Sequence, residues 1–206
     1  MITLRILNEE PLEDLREAIA TTIGKDRLKD WKPTDSLHKD LFRYYAELFI
    51  ANHSIVRSVH FRIKIDNARK DVTRQLLRAT KGHPQPFVES SRPDWTGVSR
   101  DENATNRFTW DHTPESFIAM AQQRLYYRTM KETRQETLDI IQAMWDSGEP
   151  LLEAVAFCSV PSCVFQMGCP EGKQCCHWID DGLDVIPMDL WRRREWFNEW
   201  RKEVKK

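Results

Sequence analysis

The sequence predicts a single domain of mixed α/β (α+β) class, with an antiparallel-type sheet and one long helix. Three observations lead there. Residues 55–66 alternate apolar and polar side chains with the period of a half-buried strand. Residues 114–145 carry an apolar stripe at helical spacing, ended by Gly148 and Pro150. A chain of 206 residues, 40% hydrophobic and 31% charged, is long enough for one core and shows no repeat or low-complexity linker.

The elements follow in order. Residues 2–7 (ITLRIL) read as a short strand. A helix begins near Pro11, because proline suits the first helical position, with Asn8 or Glu9 close to its start. Residues 36–51 form a second helix, for which Asp35 or Ser36 can serve as N-cap. In the strand from Ile55 to Asp66, Ile55, Val59, Phe61, Ile63 and Ile65 share one face, which Arg57 interrupts. Residues 69–80 read as a helix with Val72, Leu76 and Ala79 spaced for packing. Gln75 and Arg78 stand one turn apart on it, as do Arg74 and Arg78. Residues 81–112 read as irregular and long for a structureless connection, a length that often signals function. The long helix runs from Pro114 to Trp145 and packs through Phe117, Met120, Leu125, Leu138 and Ile141. A cysteine-bearing loop follows it, and a last helix from about Pro187 carries Trp191, Trp196 and Trp200.

Charge and cysteine content narrow the function. With 31 basic and 32 acidic residues the net charge is −1, which argues against a nucleic-acid or membrane-surface partner. No apolar run approaches the ~20 residues of a membrane helix. The first residues do not have the pattern of a secretory signal. Five cysteines, an odd number with four inside fourteen residues, do not form a spread disulfide framework. A reducing, cytoplasmic setting is expected.

The stretch Gln75–Trp95 (QLLRATKGHPQPFVESSRPDW) places a glutamine and an arginine on a helix just before a polar loop that closes on Ser90, Ser91 and Arg92. Guanidinium forks, with hydroxyls and loop amides, make a site for an oxyanion. The ordinary alternative is a solvated helix end.

These residues resemble the core of the flavin-dependent thymidylate synthases. That family's signature is a histidine and serine ahead of an alternating strand, a helix ending Q-x-x-R-H-R and a loop ending S-x-R. Here the pieces are His53 and Ser54, VHFRIKI, Gln75-Leu76-Leu77-Arg78, and Ser90-Ser91-Arg92. Three further pieces are similar to a virus-encoded branch of the family: SSRPDWTG at 90–97, KETR at 131–134 and VPSCVFQMGCPE at 160–171. The likeness spans residues 50–176.

The resemblance implies a homotetramer with FAD where subunits meet. NADPH acts as reductant, methylenetetrahydrofolate gives the one-carbon unit, and C5 of dUMP is methylated to give dTMP. It further implies that Gln75, Arg78, Glu89, Ser90, Ser91, Arg92 and Arg134 contact the nucleotide. Arg78 lies at the pyrimidine as the catalytic residue, and Ser90 and Arg92 hold the phosphate. His53, Ser54, Arg78, Ala79, Thr80, Lys81 and His83 line the flavin. The chain departs from the pattern in having Ala79-Thr80 in place of His-Arg, Val88 where an acid is expected, and Gln166 where an arginine is expected. A different one-carbon product (hydroxymethylation of dUMP or dCMP) and a nucleotide-binding homologue without turnover therefore stay open.

Other motifs read more simply. Cys163, Cys169, Cys175, Cys176 and His177 are dense, but their spacing is not the C-x2-C of a zinc knuckle. No metal is expected, and the cysteines read as small hydrophobes in a tight loop. Trp191, Trp196, Phe197 and Trp200 read as a packing stripe rather than a base-stacking platform, since acids are interleaved with the bases around them.

Overall fold

The computed structural model describes residues 1–23, 37–79, 86–89, 105–126 and 129–165. It is mixed α/β, with a four-stranded antiparallel sheet in the order β1-β2-β4-β3. The strands are β1 (Ile2–Ile6), β2 (Phe61–Arg69), β3 (Phe87–Val88) and β4 (Thr105–His112). The helices are α1 (Pro11–Ile23), α2 (Leu37–Ile50), α3 (Lys70–Leu77), α4 (Pro114–Arg124), α5 (Lys131–Trp145), α6 (Pro150–Cys158) and α7 (Ser162–Phe165). A 3-10 turn spans Ser54–Ser58. No helix among the described residues is long and apolar enough to cross a membrane.

The chain divides into two compact units, one of residues 1–33 and 52–116, the other of 34–51 and 117–206. The first unit holds the sheet. Phe61, Ile63 and Ile65 of β2 and Phe108 and Trp110 of β4 are buried on one face, and Arg62, Lys64, Thr109 and Asp111 stand on the other. Alternation at a period of two produces this division, and the paired register locks it, since a one-residue slip would bury the charges. α3 packs on β2 and β4 through Val72, Thr73 and Leu76. α1 adds Leu15 and Ile19 to the buried set and lies against the 3-10 turn.

β2 corrects the strand expected over 55–66. Its first half is the 3-10 turn, which buries Val56 while Arg57 points out to pair with Glu115. The strand starts at Phe61 and runs on to Arg69 through a bulge, in which Asp66 and Asn67 stand opposite Arg107 alone. Asn67 takes φ +67°, and the bulge turns Ala68 back to the buried side just before α3 begins. The irregular segment expected over 81–112 also needs correction, because 105–112 is a central strand of the sheet.

The second unit is helical among its described residues. α2 packs on α6, and α6 on α5. Phe42, Trp145 and Phe157 form an aromatic cluster with centroids 5.7–6.5 Å apart. The long helix expected from Pro114 to Trp145 is two helices. Thr129 Oγ1 donates to the carbonyl of Gln123 at 3.0 Å, and Met130 takes a non-helical backbone (φ −46°, ψ 128°) before α5. A carbonyl capped from outside and a non-helical N-cap are a helix end and a helix start. The loop expected after Pro150 is also corrected at its beginning. PLLEAVAFC is helix α6, buried throughout from Leu151 to Cys158. Its one acid, Glu153, meets His38 Nε2 at 3.2 Å. The expected C-terminal helix and the N-caps Asp35 and Ser36 lie outside the described residues.

Candidate functional site

α3 carries Arg74 and Gln75 and ends on Arg78, and so brings together the expected site residues Gln75 and Arg78. Lys70 and Asp71 open it. Asp71 is held by Arg69 through two hydrogen bonds of 3.1 and 2.6 Å, which keep its carboxyl below the ordinary aspartate range. Val72, Thr73 and Leu76 fix the inward face, and Thr73 Oγ1 donates to the carbonyl of Arg69 at 3.0 Å. With that face committed to the sheet, helical spacing leaves Arg74, Gln75 and Arg78 on the other. Arg74 and Arg78 are exposed and Gln75 is half-buried. Arg78 is the C-cap, its N–H donating to the carbonyl of Arg74 at 3.3 Å. Ala79 follows and is buried.

The side chains of Arg74, Gln75 and Arg78 form no hydrogen bond or ion pair among the described residues. Five of the six other described arginines of this unit differ. Arg16, Arg57, Arg62, Arg69 and Arg107 each meet a carboxylate. Glu115 and Asp111 hold the Arg57 and Arg62 guanidiniums above their ordinary pKa through hydrogen bonding. The C-terminal turn of α3 thus presents fork-shaped donors with no acceptor among the described residues, which can receive an oxyanion.

The other expected positions fall in separate places. His53 is exposed as the N-cap of the 3-10 turn, and Ser54 is exposed as its first residue. Ser54 lines a cleft of about 540 Å³ with Asn8, Asp14, Glu17, Thr21 and Ser58 among its walls. Asn8 is fully used there: its amide donates to Asp14 and to the Ser58 carbonyl, and its oxygen accepts from the His60 N–H. The cleft is rich in acceptors and carries two carboxylates, so it suits an uncharged or cationic group better than a phosphate. Glu89, just beyond β3, exchanges backbone and side-chain bonds with Arg107. Arg134 is half-buried on α5 of the second unit. No hydrogen bond among the described residues joins α3's polar edge to His53, Ser54 or Glu89. Thr80, Lys81, His83, Ser90, Ser91 and Arg92 lie outside the described residues.

Two features did not come from motif reading. The acceptor-rich cleft is assembled from α1, the end of β1 and the 3-10 turn, so no contiguous stretch carries it. Arg74 is one turn from Arg78 in the sequence, but that spacing shows nothing about which arginines lack partners. Among the described residues no group of three or more His, Cys, Asp or Glu is placed to hold a metal, and Cys158 and Cys163 are buried thiols. No family model, curated protein or solved structure matches this chain.

Proposed function

We propose that the chain is a flavin-dependent enzyme acting at C5 of a pyrimidine nucleotide, methylating dUMP to dTMP with methylenetetrahydrofolate and NADPH. The observation that carries this reading is the C-terminal turn of α3, where Gln75 and Arg78 have no partner among the described residues, in a unit whose other described arginines are mostly answered by carboxylates. His53 and Ser54, strand β2 and the helix bearing Gln75 and Arg78 follow one another in the order of the family's signature, which supports this reading. Bound FAD supplies the redox chemistry. The chain supplies position and charge: Arg78 and Gln75 donate hydrogen bonds to the nucleotide, Ser90 and Arg92 take its phosphate, and His53 and Ser54 border the flavin. The α3 donors fit an anionic nucleotide, and the acceptor-rich cleft beside Ser54 fits the uncharged isoalloxazine better than the FAD pyrophosphate. Assembly as a homotetramer belongs to the same reading.

Ala79 favours a second reading. Its buried methyl offers neither the imidazole nor the cation of the family's pattern. A homologue that binds nucleotide without turning it over, or one that makes a hydroxymethyl product from dUMP or dCMP, accommodates that change.

The test is reconstitution with FAD followed by incubation with C5-tritiated dUMP, methylenetetrahydrofolate and NADPH. Bound, reducible flavin with tritium release and dTMP formation supports the first reading. Bound flavin with nucleotide binding but no dTMP supports the second. A protein that stays colourless and binds no pyrimidine nucleotide contradicts both.

A further inference from the structure

Arg74 stands one turn before Arg78 on the exposed side of α3, and neither guanidinium has a partner among the described residues. Asp71, the nearest acid on the helix, is taken by Arg69 through both carboxylate oxygens. In this unit Arg5, on the edge strand β1, is the other described arginine without a carboxylate. Side chains four residues apart on a helix are neighbours, so the two like charges repel modestly. The negative end of the helix dipole tolerates cations there but gives no reason for a pair of forks. An oxyanion between them gives each fork its acceptors and removes the repulsion.

We propose that Arg74, together with the Arg78 donors that the nucleotide does not use, forms an oxyanion clamp for the anionic group of a second substrate, separate from the phosphate of the pyrimidine nucleotide. The inference rests on the reading of α3 as the site edge, in which Ser90 and Arg92 already hold the nucleotide phosphate. Within that reading the oxyanion has two sources, the phosphates of the nicotinamide cofactor or the glutamyl carboxylates of the folate. Arg74 binds and orients this group and takes no part in bond making.

The experiment is calorimetric titration of the full chain, with and without added FAD, comparing wild type, Arg74→Ala, Arg74→Lys and Arg43→Ala. Arg43 is an exposed arginine paired with Glu47, so its loss controls for net charge. The probes are inorganic pyrophosphate, NADPH, methylenetetrahydrofolate with one and with three glutamates, and dUMP. Arg74→Ala is expected to weaken pyrophosphate about tenfold, with Arg74→Lys recovering part of the loss and Arg43→Ala showing none. A matching loss for NADPH assigns the clamp to the dinucleotide. A loss that grows with glutamate number assigns it to the folate. dUMP affinity is expected to stay unchanged in Arg74→Ala. Equal affinities of wild type and Arg74→Ala for every probe overturn the clamp, as does an equal loss in Arg43→Ala. If pyrophosphate binding depends on Arg74 but no pyrimidine nucleotide binds wild type, the clamp stands and the flavoenzyme reading falls.

Discussion

Arg62 and Asp111 face each other across the β2–β4 ladder and join through two parallel hydrogen bonds of 2.6 and 2.8 Å. The same sheet face pairs Lys64 with Asp66 and Arg107 with Glu89, so its cations serve the sheet itself. Arg62→Ala is therefore expected to lower the melting temperature slightly, and less so in high salt, because the pair is partly exposed. Its affinity for nucleotide and flavin should stay within about twofold of wild type. A larger loss of nucleotide affinity would move the site from α3 to the sheet face.

The bulge at Asp66–Asn67 governs how β2 enters α3. Asn67 adopts φ +67°, where a β-branched residue meets its own backbone. Asn67→Val is expected to cost about 1–2 kcal/mol in urea unfolding. Asn67→Gly should be close to neutral, since glycine reaches that conformation without a steric penalty. Nucleotide affinity measured on both variants reads whether the bulge also positions Arg78: the valine variant should lose affinity and the glycine variant should keep it.

Tyr45 provides an alkaline signature. Burial first, then the neighbouring Tyr44 and Glu149, push its phenol up to about 12. The folded state keeps the proton while the unfolded state releases it near 10, so the stabilisation is complete below pH 10 and is lost as pH rises toward 12. The loss amounts to about 2–3 kcal/mol. Tyr45→Phe has no proton to release in either state and should show a shallower fall in stability over that window. Absorbance titration of the phenolates should show one late-titrating tyrosine that disappears in the variant.

Glu136 on α5 is half-buried, and burial followed by Asp139 one turn away raises its carboxyl above the ordinary glutamate value. A raised carboxyl contributes stability below the unfolded pKa and loses that contribution as pH rises through the folded one. At neutral pH the charge is a liability. Glu136→Gln is expected to raise the melting temperature at pH 7, with the gain shrinking as pH falls through the carboxylate range. A lower melting temperature at neutral pH would show that this carboxylate is used.

Local chemistry was legible in the sequence where one face of an element is wet. β1, α1, α2 and the helix carrying Gln75 and Arg78 announce themselves because polar and apolar residues segregate at a period of two or 3.6. α6 did not, because PLLEAVAFC is buried all round and an element with no wet face has no period to read. β4 was hidden because a buried histidine, His112, ends its inward row. Ser116 meets that histidine at 2.7 Å. The break between α4 and α5 is marked by one hydroxyl, Thr129, reaching back to Gln123, and the drifting apolar stripe passes over it. For the site, the one-turn spacing of Gln75 and Arg78 was visible at once. That these side chains meet no carboxylate among the described residues depends on pairings such as Arg62–Asp111, which join residues far apart in the chain.

The proposed binding of a pyrimidine nucleotide beside a flavin at the C-terminal turn of α3 is tested most directly by calorimetric titration of dUMP into FAD-supplemented wild type and Arg78→Ala. Arg78 is exposed and unpaired among the described residues, so the fold should survive its removal. The account predicts stoichiometric dUMP binding to wild type and an affinity lower by roughly ten- to a hundredfold in the variant, the loss expected for charge-assisted hydrogen bonds. Equal affinities in the two proteins, or no dUMP binding to wild type, would contradict it.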